Sequence, residues 1–438
     1  MNSPLVRALR EAELIVRRGR VAEGRGYFLE ADGPAASVGE VCRVEPSGRD
    51  LPVTCEVVGF RGGRVLMMPY HDTDGIHVGA PVIATGKRFE VGLGDGLLGR
   101  VVDAFGEPLD GKGPIAHTAR RPERAAAPNP MRRARITEPL VTGIRSIDAL
   151  LPLGKGQRVG LFAGSGVGKS TLLGQLAKGS SAEVCVIALI GERGREVREF
   201  VEDHLGEEGA RRACVVAATS DTPALQRIKA AYVATTIAEY FRDQGRDVLL
   251  LMDSLTRLAL ARREIGLAVG EAPTSRGYTP SVFAEIPELC ERSGMGEGRG
   301  SITALYTVLV EGDDLNEPIS DAIRATLDGH VVLSRALANA GHYPAIDPLT
   351  SISRLVSQIA SSEHRKIAAR TLALLAHYER NRQLIEVGAY RAGVSRELDE
   401  AVALAPRIRA WLTQRETIHA TLEEAFRALA ALLGTNAT

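Results

Sequence analysis

Nine consecutive residues, Ala163-Gly-Ser-Gly-Val-Gly-Lys-Ser-Thr171, combine alternating glycines with one lysine and several hydroxyl side chains. That combination suits one task, holding a phosphate chain. Gly164, Gly166 and Gly168 let the backbone curl so that successive N–H groups point at one anion. Lys169 can reach the β- and γ-phosphates, and the Ser170 hydroxyl can ligate Mg²⁺. Ser165, Val167 and Thr171 complete the loop, and residues 163–171 together form the expected nucleotide-binding set. A strict phosphate-loop motif has Gly where this chain has Ala163, a small departure that a negative φ accommodates. A chance glycine-rich loop is the competing reading. It is disfavoured because Arg158-Val-Gly-Leu-Phe162 reads as a buried strand before the loop and Leu172–Ala177 as a helix after it, the context such a loop requires.

Two carboxylates follow at the ends of apolar runs. Val184–Ile190 leads into Gly191-Glu192-Arg193, and Asp247–Met252 leads into Asp253. Ligands of a parallel α/β sheet gather at the C-terminal ends of its strands, so both acids are expected beside the phosphate loop. Glu192 then stands where a general base or water-orienting group is needed, and Arg193 is grouped with the nucleotide-binding residues. Asp253 fits the Walker-B pattern, a carboxylate that holds Mg²⁺ and its waters. The plain alternative for Glu192 is a surface glutamate at a strand end. The set suits in-line attack of water on a γ-phosphate. It lacks a cation for the transition state, for which Arg193, Arg257, Arg324, Arg335 and Arg354 are candidates that spacing alone does not separate.

The elements that must position these groups fall into three zones. From about Gly24 to Lys87 short strand-like pieces alternate with turn signals such as Asp32-Gly-Pro and Arg61-Gly-Gly, which suggests a small closed β-barrel. Ala116–Thr137, rich in Arg, Ala and Pro, reads as an extended connector. From Gly143 to about Arg354 apolar strands alternate with helical segments, the signature of α/β with a mainly parallel sheet; beyond Arg354 the pattern is helical. The expected boundaries are a docking helix over residues 1–22, a barrel over 23–92, a RecA-like ATP-binding domain over 93–355 and a helical domain over 356–438.

Composition narrows the class. The chain has 438 residues, with 54 basic against 54 acidic side chains. That balance argues against a broad nucleic-acid surface. Five cysteines, odd in number and never spaced as C-x-x-C, suit buried thiols in a reducing compartment rather than a disulfide or zinc framework. No apolar run approaches a membrane span, and the first twenty residues carry no signal-peptide core; a cytoplasmic protein is expected. Leu5, Leu9 and Val16 among Arg7, Arg10, Arg17 and Arg18 form a weak basic amphipathic pattern, suited either to a solvated helix or to one that docks on a partner or lipid.

Thr142-Gly-Ile-Arg-Ser-Ile-Asp148, the phosphate loop, Gly191-Glu-Arg193, Leu249–Asp253 and Tyr343-Pro-Ala-Ile-Asp-Pro-Leu-Thr-Ser-Ile-Ser-Arg354 together resemble the catalytic subunits of rotary ATP synthases. The likeness runs from about residue 20 to residue 400. Within that superfamily, Ser275–Phe283, Leu289–Gly294, Leu327–Arg335 and Gly341–Asp347 are most similar to the export ATPases of flagella and type III secretion systems, and Val387-Gly-Ala-Tyr390 leans towards the flagellar branch. The resemblance implies Glu192 as catalytic carboxylate, Asp253 as Walker-B acid, Arg354 as an arginine finger reaching a neighbouring subunit's site, and Tyr343 near the adenine. It also implies ATP as substrate, Mg²⁺ as cofactor and a homohexamer. Implied partners are stalk and regulator proteins, export substrates and their chaperones, at an export gate on the inner face of the cytoplasmic membrane. A core position is the competing reading for Tyr343, and a structural ion pair for Arg354. The irregular run 266–280 would face the ring's central hole and report nucleotide state there.

Two rival classes are separable. A non-catalytic ring subunit of the same superfamily would lack the Glu192 carboxylate. An RNA translocase with a binding barrel before the same core would need aromatic and basic clusters in residues 24–87, and those are missing.

Overall fold

The computed structural model describes residues 16–48, 51–310, 312, 314, 315 and 317–434. The expected docking helix over 1–22 lies mostly outside these. Where it overlaps them it is corrected, because Arg18–Arg25 is a β-strand. Arg18, Gly19 and Arg20 pair with Ile83, Val82 and Pro81 on one side, and the same strand pairs with Phe28–Asp32 on the other. The alternation of charged and small residues there is the period-two patterning of a barrel strand rather than a helical stripe.

That strand closes a six-stranded antiparallel barrel with Phe28–Asp32, Arg64–Pro69, Val53–Arg61, Glu40–Val44 and Pro81–Arg88. Alternate residues such as Val44, Val57, Met67 and Val82 fill its interior, as a period-two pattern dictates. Of the described residues, those up to Glu90 with 223–226 and 264–272 form one compact unit, and the others form the second.

The second unit is built on a nine-stranded sheet. Its core order is Gly329–Leu333, Arg158–Ala163, Ser301–Leu309, Asp247–Asp253, Val184–Glu192, Ala213–Thr219, all parallel. Val184–Ile190 and Val248–Met252 are buried throughout, because helices cover both faces and leave no strand position for polar residues. The α/β reading therefore holds. Ser301–Leu309, not singled out from the sequence, is the strand that separates the phosphate-loop strand from the Asp253 strand.

The helical end is also as read, with Ser362–Arg380, Arg396–Leu412 and Leu422–Leu432. A Thr421/Glu424 capping box starts the last of these. These helices share the second compact unit with the sheet, and their apolar faces enter one core with the phosphate-loop helix. The connector is pinned to the second unit by side-chain contacts: Glu123 pairs with buried Lys229 at 2.7 Å, and Arg124 pairs with Glu285 while lying over the Tyr232 ring. Run 266–280 is less irregular than read, since the helix Leu255–Val269 continues through Leu267 and Ala268 and stops at Gly270, whose φ is +96°. A left-handed glycine just past a helix is a common terminator. All five cysteines are free and buried. Among the described residues no helix is long and apolar enough to cross a membrane.

Candidate active site

The phosphate loop leaves the strand Arg158–Ala163 and enters the helix Lys169–Gly179. Gly166 and Gly168 adopt φ of +76° and +85°, values that an L side chain resists. Ala163 remains in the strand, where a Cβ is no obstacle. Val167 is buried and anchors the loop to the core. No side chain caps this helix. Its first N–H groups are left for an anion, and the positive end of the helix dipole favours one there.

Lys169 Nζ lies 2.6 Å from Asp253 Oδ1 and 3.3 Å from Glu192 Oε1. The first residue of a helix and the last residues of two strands thus meet at one edge of the sheet. Glu192 reaches past its neighbour because Leu189 is level with Asp253, and a bulge between Ile190 and Glu192 turns the strand end outward. Gly191, at φ +70°, makes that turn against the Arg257 side chain, since a Cβ at 191 would lie 3.2 Å from Arg257 Cβ. Arg257, one of the cation candidates, is therefore packed against Gly191, the residue before Glu192.

The electrostatics follow from burial. Burial raises the Glu192 pKa, Lys169 opposes it, and Asp253 and a hydrogen bond with Glu196 push it further up. Glu196 is lowered chiefly by that same hydrogen bond. Burial alone would lower Lys169, but the facing Asp253 and Glu192 carboxylates outweigh it and hold the ammonium charged. Glu192 and Lys169 share little water here, so the charge state of each depends on the other.

Sequence reasoning missed two participants. Thr307, on the strand beside Asp253, donates to Asp253 Oδ1 at 2.6 Å. Glu196 bonds Glu192. Arg335, one of the cation candidates, donates from Nη1 to the Ser165 carbonyl at 3.4 Å. Arg193 is brought into no contact with the loop: its side chain is 78% exposed and pairs with Glu196. Ser170 and Thr171 sit in the first turn of the helix as expected.

Tyr343 and Arg354 end up at opposite edges of the sheet. A Cβ on Gly168 would touch the Tyr343 ring at 3.3 Å, so the ring lies directly on the phosphate loop. At 43% exposure Tyr343 is not a core residue. It lines a cavity of about 280 Å³ with Thr171, Leu172, Gln175, Pro344, Gln414 and Glu416. From there the chain runs back antiparallel, with Ile352 and Ser353 pairing to His330 and Gly329. Arg354 N then donates to Asp328 O, and Asp328 also binds the Arg158 backbone N–H at the start of the phosphate-loop strand. Six strand residues separate the two ends, roughly 16 Å at about 3.3 Å per step. The exposed Arg354 guanidinium therefore does not reach its own subunit's phosphate loop, and its nearest recorded partner is the Arg324 carbonyl.

Comparisons with known proteins identify the family to which the barrel, the nucleotide-binding sheet and the helical end belong. Residues 143–353 match the family described as ATP synthase alpha/beta family, nucleotide-binding domain. Residues 21–86 match the beta-barrel domain of the same family, and 360–431 match the T3SS EscN ATPase C-terminal domain. The chain is 53% identical over 419 residues to the flagellum-specific ATP synthase of Bacillus subtilis, covering 95% of each. It is 50% identical over 418 residues to the type 3 secretion system ATPase of Xanthomonas euvesicatoria, covering 94% of each. Among solved structures, the assembled ATPase EscN of enteropathogenic E. coli superposes with a TM-score of 0.90 at 42% identity, over 95% of this chain and 100% of that one. The barrel, the nucleotide-binding domain and the helical end are thus each matched, over 94–95% of the relatives' length, and the chain belongs to the ATP synthase α/β family, in the branch of ATPases that flagellar and type III secretion systems use.

Proposed function

We propose that this chain hydrolyses MgATP as a homohexameric ring whose sites lie between subunits, and that the ring energises type III protein export, with flagellar export as the system served. The observation that carries the reading is the placement of Lys169, Glu192 and Asp253 at one sheet edge and of Arg354 at the other. A site completed across an interface needs one partner's carboxylates and the other's guanidinium. This chain has both, so identical subunits suffice.

Within one site the roles divide by chemistry. The uncapped helix and Lys169 bind the phosphates, and Tyr343 offers a ring for the base. Ionised Glu192 accepts a proton from, or orients, the attacking water. Arg257, packed against Gly191, and a neighbour's Arg354 are the cations for charge developing on the γ-phosphoryl group. The donor set available to a divalent ion is all oxygen, Ser170 hydroxyl and Asp253 carboxylate, which fits Mg²⁺. Bound there with the phosphates, Mg²⁺ would neutralise charge on the triphosphate.

The flagellar assignment rests on Val387–Tyr390 and on relatives such as that of Bacillus subtilis. A stalk partner is supported by the EscN structure solved in complex with its central stalk EscO, which superposes with a TM-score of 0.88 at 42% identity. The same reading places the ring at the inner face of the cytoplasmic membrane, with regulator proteins, chaperones and export substrates as further partners.

The test is ATP hydrolysis by the purified chain with and without Mg²⁺ and with added RNA, together with its mass in solution at rising concentration. Mg-dependent turnover that RNA leaves unchanged and that rises more than linearly with protein supports the reading. RNA-stimulated turnover would favour the translocase class. For the system served, loss of motility on deleting the gene supports the flagellar assignment, and intact motility with lost effector secretion overturns it.

A further inference from the structure

The C-terminal helical region reaches the cavity beside Tyr343 at the turn Gln414–Ile418, and Gln414 fastens that turn in place. Its side chain is 3% exposed. Nε2 donates to the Gly143 carbonyl at 2.7 Å and to the Ile418 carbonyl at 2.6 Å, and Oε1 accepts from the Arg145 backbone N–H at 2.9 Å. Its own backbone N–H donates to the Tyr343 carbonyl at 2.8 Å. Three segments far apart in sequence, around 143, 343 and 414, therefore meet at one residue. The Gly143 end is braced in turn by Asp148, whose carboxylate accepts from Thr142 N, Thr142 Oγ1 and Gly143 N.

Both amide hydrogens of Gln414 and its carbonyl oxygen are already engaged with protein. The side chain is thus committed to holding these segments rather than to reading a ligand. On the reading of this cavity as the base-binding end of the ATP site, we propose that Gln414 is a positioning residue. It sets the gap between the Tyr343 ring and the 414–418 turn into which the planar base fits, and so makes base affinity depend on the docking of the C-terminal helical region. Replacing it with an apolar side chain of like length would remove all three side-chain hydrogen bonds, leaving the Gly143 carbonyl only the Ala420 N–H at 3.3 Å and the Ile418 carbonyl and Arg145 N–H without their Gln414 partner. The turn would be expected to swing out to water and the gap to widen.

The test compares ATP hydrolysis by Gln414→Met and Gln414→Glu with that of the unaltered chain, using Mg-tripolyphosphate as a competitor that lacks a base. Gln414→Met should raise the KM for ATP about tenfold, corresponding to about 1.4 kcal/mol, with kcat and the tripolyphosphate Ki little changed. Gln414→Glu keeps the acceptor for Arg145 N. When ionised it faces two carbonyls, and when protonated it can donate to one. Its KM should therefore fall back towards that of the unaltered chain as pH drops from about 8 to about 6, a response that a merely structural residue would not give. A Gln414→Met variant with unchanged KM, or with KM and tripolyphosphate Ki rising together, overturns the assignment. If that variant does not fold, the Gln414→Glu profile decides, and a KM that does not vary with pH overturns it equally. An unaltered chain that hydrolyses no ATP would sink the underlying nucleotide reading instead, so the two failures are distinguishable.

Discussion

The two ends of the nucleotide cleft are built in different ways. At the phosphate end the functional groups sit one residue beyond an apolar strand or at a helix start: Lys169 after Gly168, Glu192 after Gly191, Asp253 after Met252. At the end proposed for the base, Tyr343 and the turn carrying Glu416 are held by hydrogen bonds of Gln414 with Tyr343 itself and with Gly143 and Arg145, which lie 271 and 269 positions away. The first design rests on local rules, because a parallel strand always delivers its last residue to the same edge. The second depends on how distant segments dock. Chemistry should therefore fail when the phosphate end is altered, and affinity when the base end is. The two kinds of loss separate as kcat against KM.

The largest effect is expected from Arg354→Ala. Nucleotide binding should persist while turnover falls about 10³-fold, the lower range for an arginine finger. Mixing this variant with Glu192→Gln subunits should restore part of the activity, because some interfaces then pair an intact carboxylate with an intact guanidinium. Co-assembled mixtures that stay inactive would place the finger within its own subunit, against the roughly 16 Å of strand between them.

That placement shows what was and was not legible in the sequence. The phosphate loop, the two acids, the barrel and the helical end could each be read from spacing and period. The run Tyr343–Arg354 was legible only through resemblance, and its two ends lie at opposite edges of the sheet because the chain runs back along it between them. Strand Ser301–Leu309 went unread although its composition is ordinary for a buried strand; nothing in Ser301-Ile-Thr-Ala-Leu-Tyr-Thr-Val-Leu309 announces that Thr307 faces Asp253. The available signal was length: Thr307 stands one residue past Tyr306, which is level with Met252. Arg193 was misread for the opposite reason, since adjacency to Glu192 in sequence sends alternate side chains of an extended segment in opposite directions. Residues 18–22 were read as helix because apolar residues upstream set a helical rhythm that the strand does not continue.

Glu192→Gln should keep ATP affinity and lower kcat about 10²-fold or more, the range for loss of a general base. It also carries a pH signature. Glu192 must be ionised to act, and burial, Asp253 and Glu196 hold its pKa above the ordinary glutamate range. Activity should therefore fall as pH drops through a value higher than about 4.3, where a solvated glutamate titrates, and Glu192→Gln should lack that acid limb. A limb that persists in the variant would assign it to another group in the coupled set.

At the base end, Tyr343→Ser should raise the KM for ATP about tenfold with kcat near that of the unaltered chain, since stacking of a base on an aromatic ring is worth about 1–3 kcal/mol. Tyr343→Phe should behave as the unaltered chain, because what the reading uses is the ring. A drop in kcat without a change in KM would mean that the ring acts through Gly168 on the phosphates, which it touches, and the division between the two ends would fail.

The smallest effect tests the phosphate end at its least obvious member. Thr307 is fully buried, and its hydroxyl donates to the same Asp253 oxygen that Lys169 holds. Thr307→Val keeps the shape and removes one hydrogen bond to a charged acceptor, a loss of about 1.5–3 kcal/mol in orienting that carboxylate. Part of that loss will be offset as Lys169 draws closer to Asp253. The expected outcome is a fewfold drop in turnover and a higher Mg²⁺ requirement, with ATP affinity for the base end, read by the Tyr343 variants, unaltered. The Mg²⁺ dependence is the discriminating measurement. A carboxylate that merely packs the strand would lose stability without changing it, whereas a carboxylate that holds the ion's waters would demand more Mg²⁺ once its orientation loosens. An unchanged Mg²⁺ requirement with lowered turnover would leave Lys169, and not the metal, as the group that Asp253 serves.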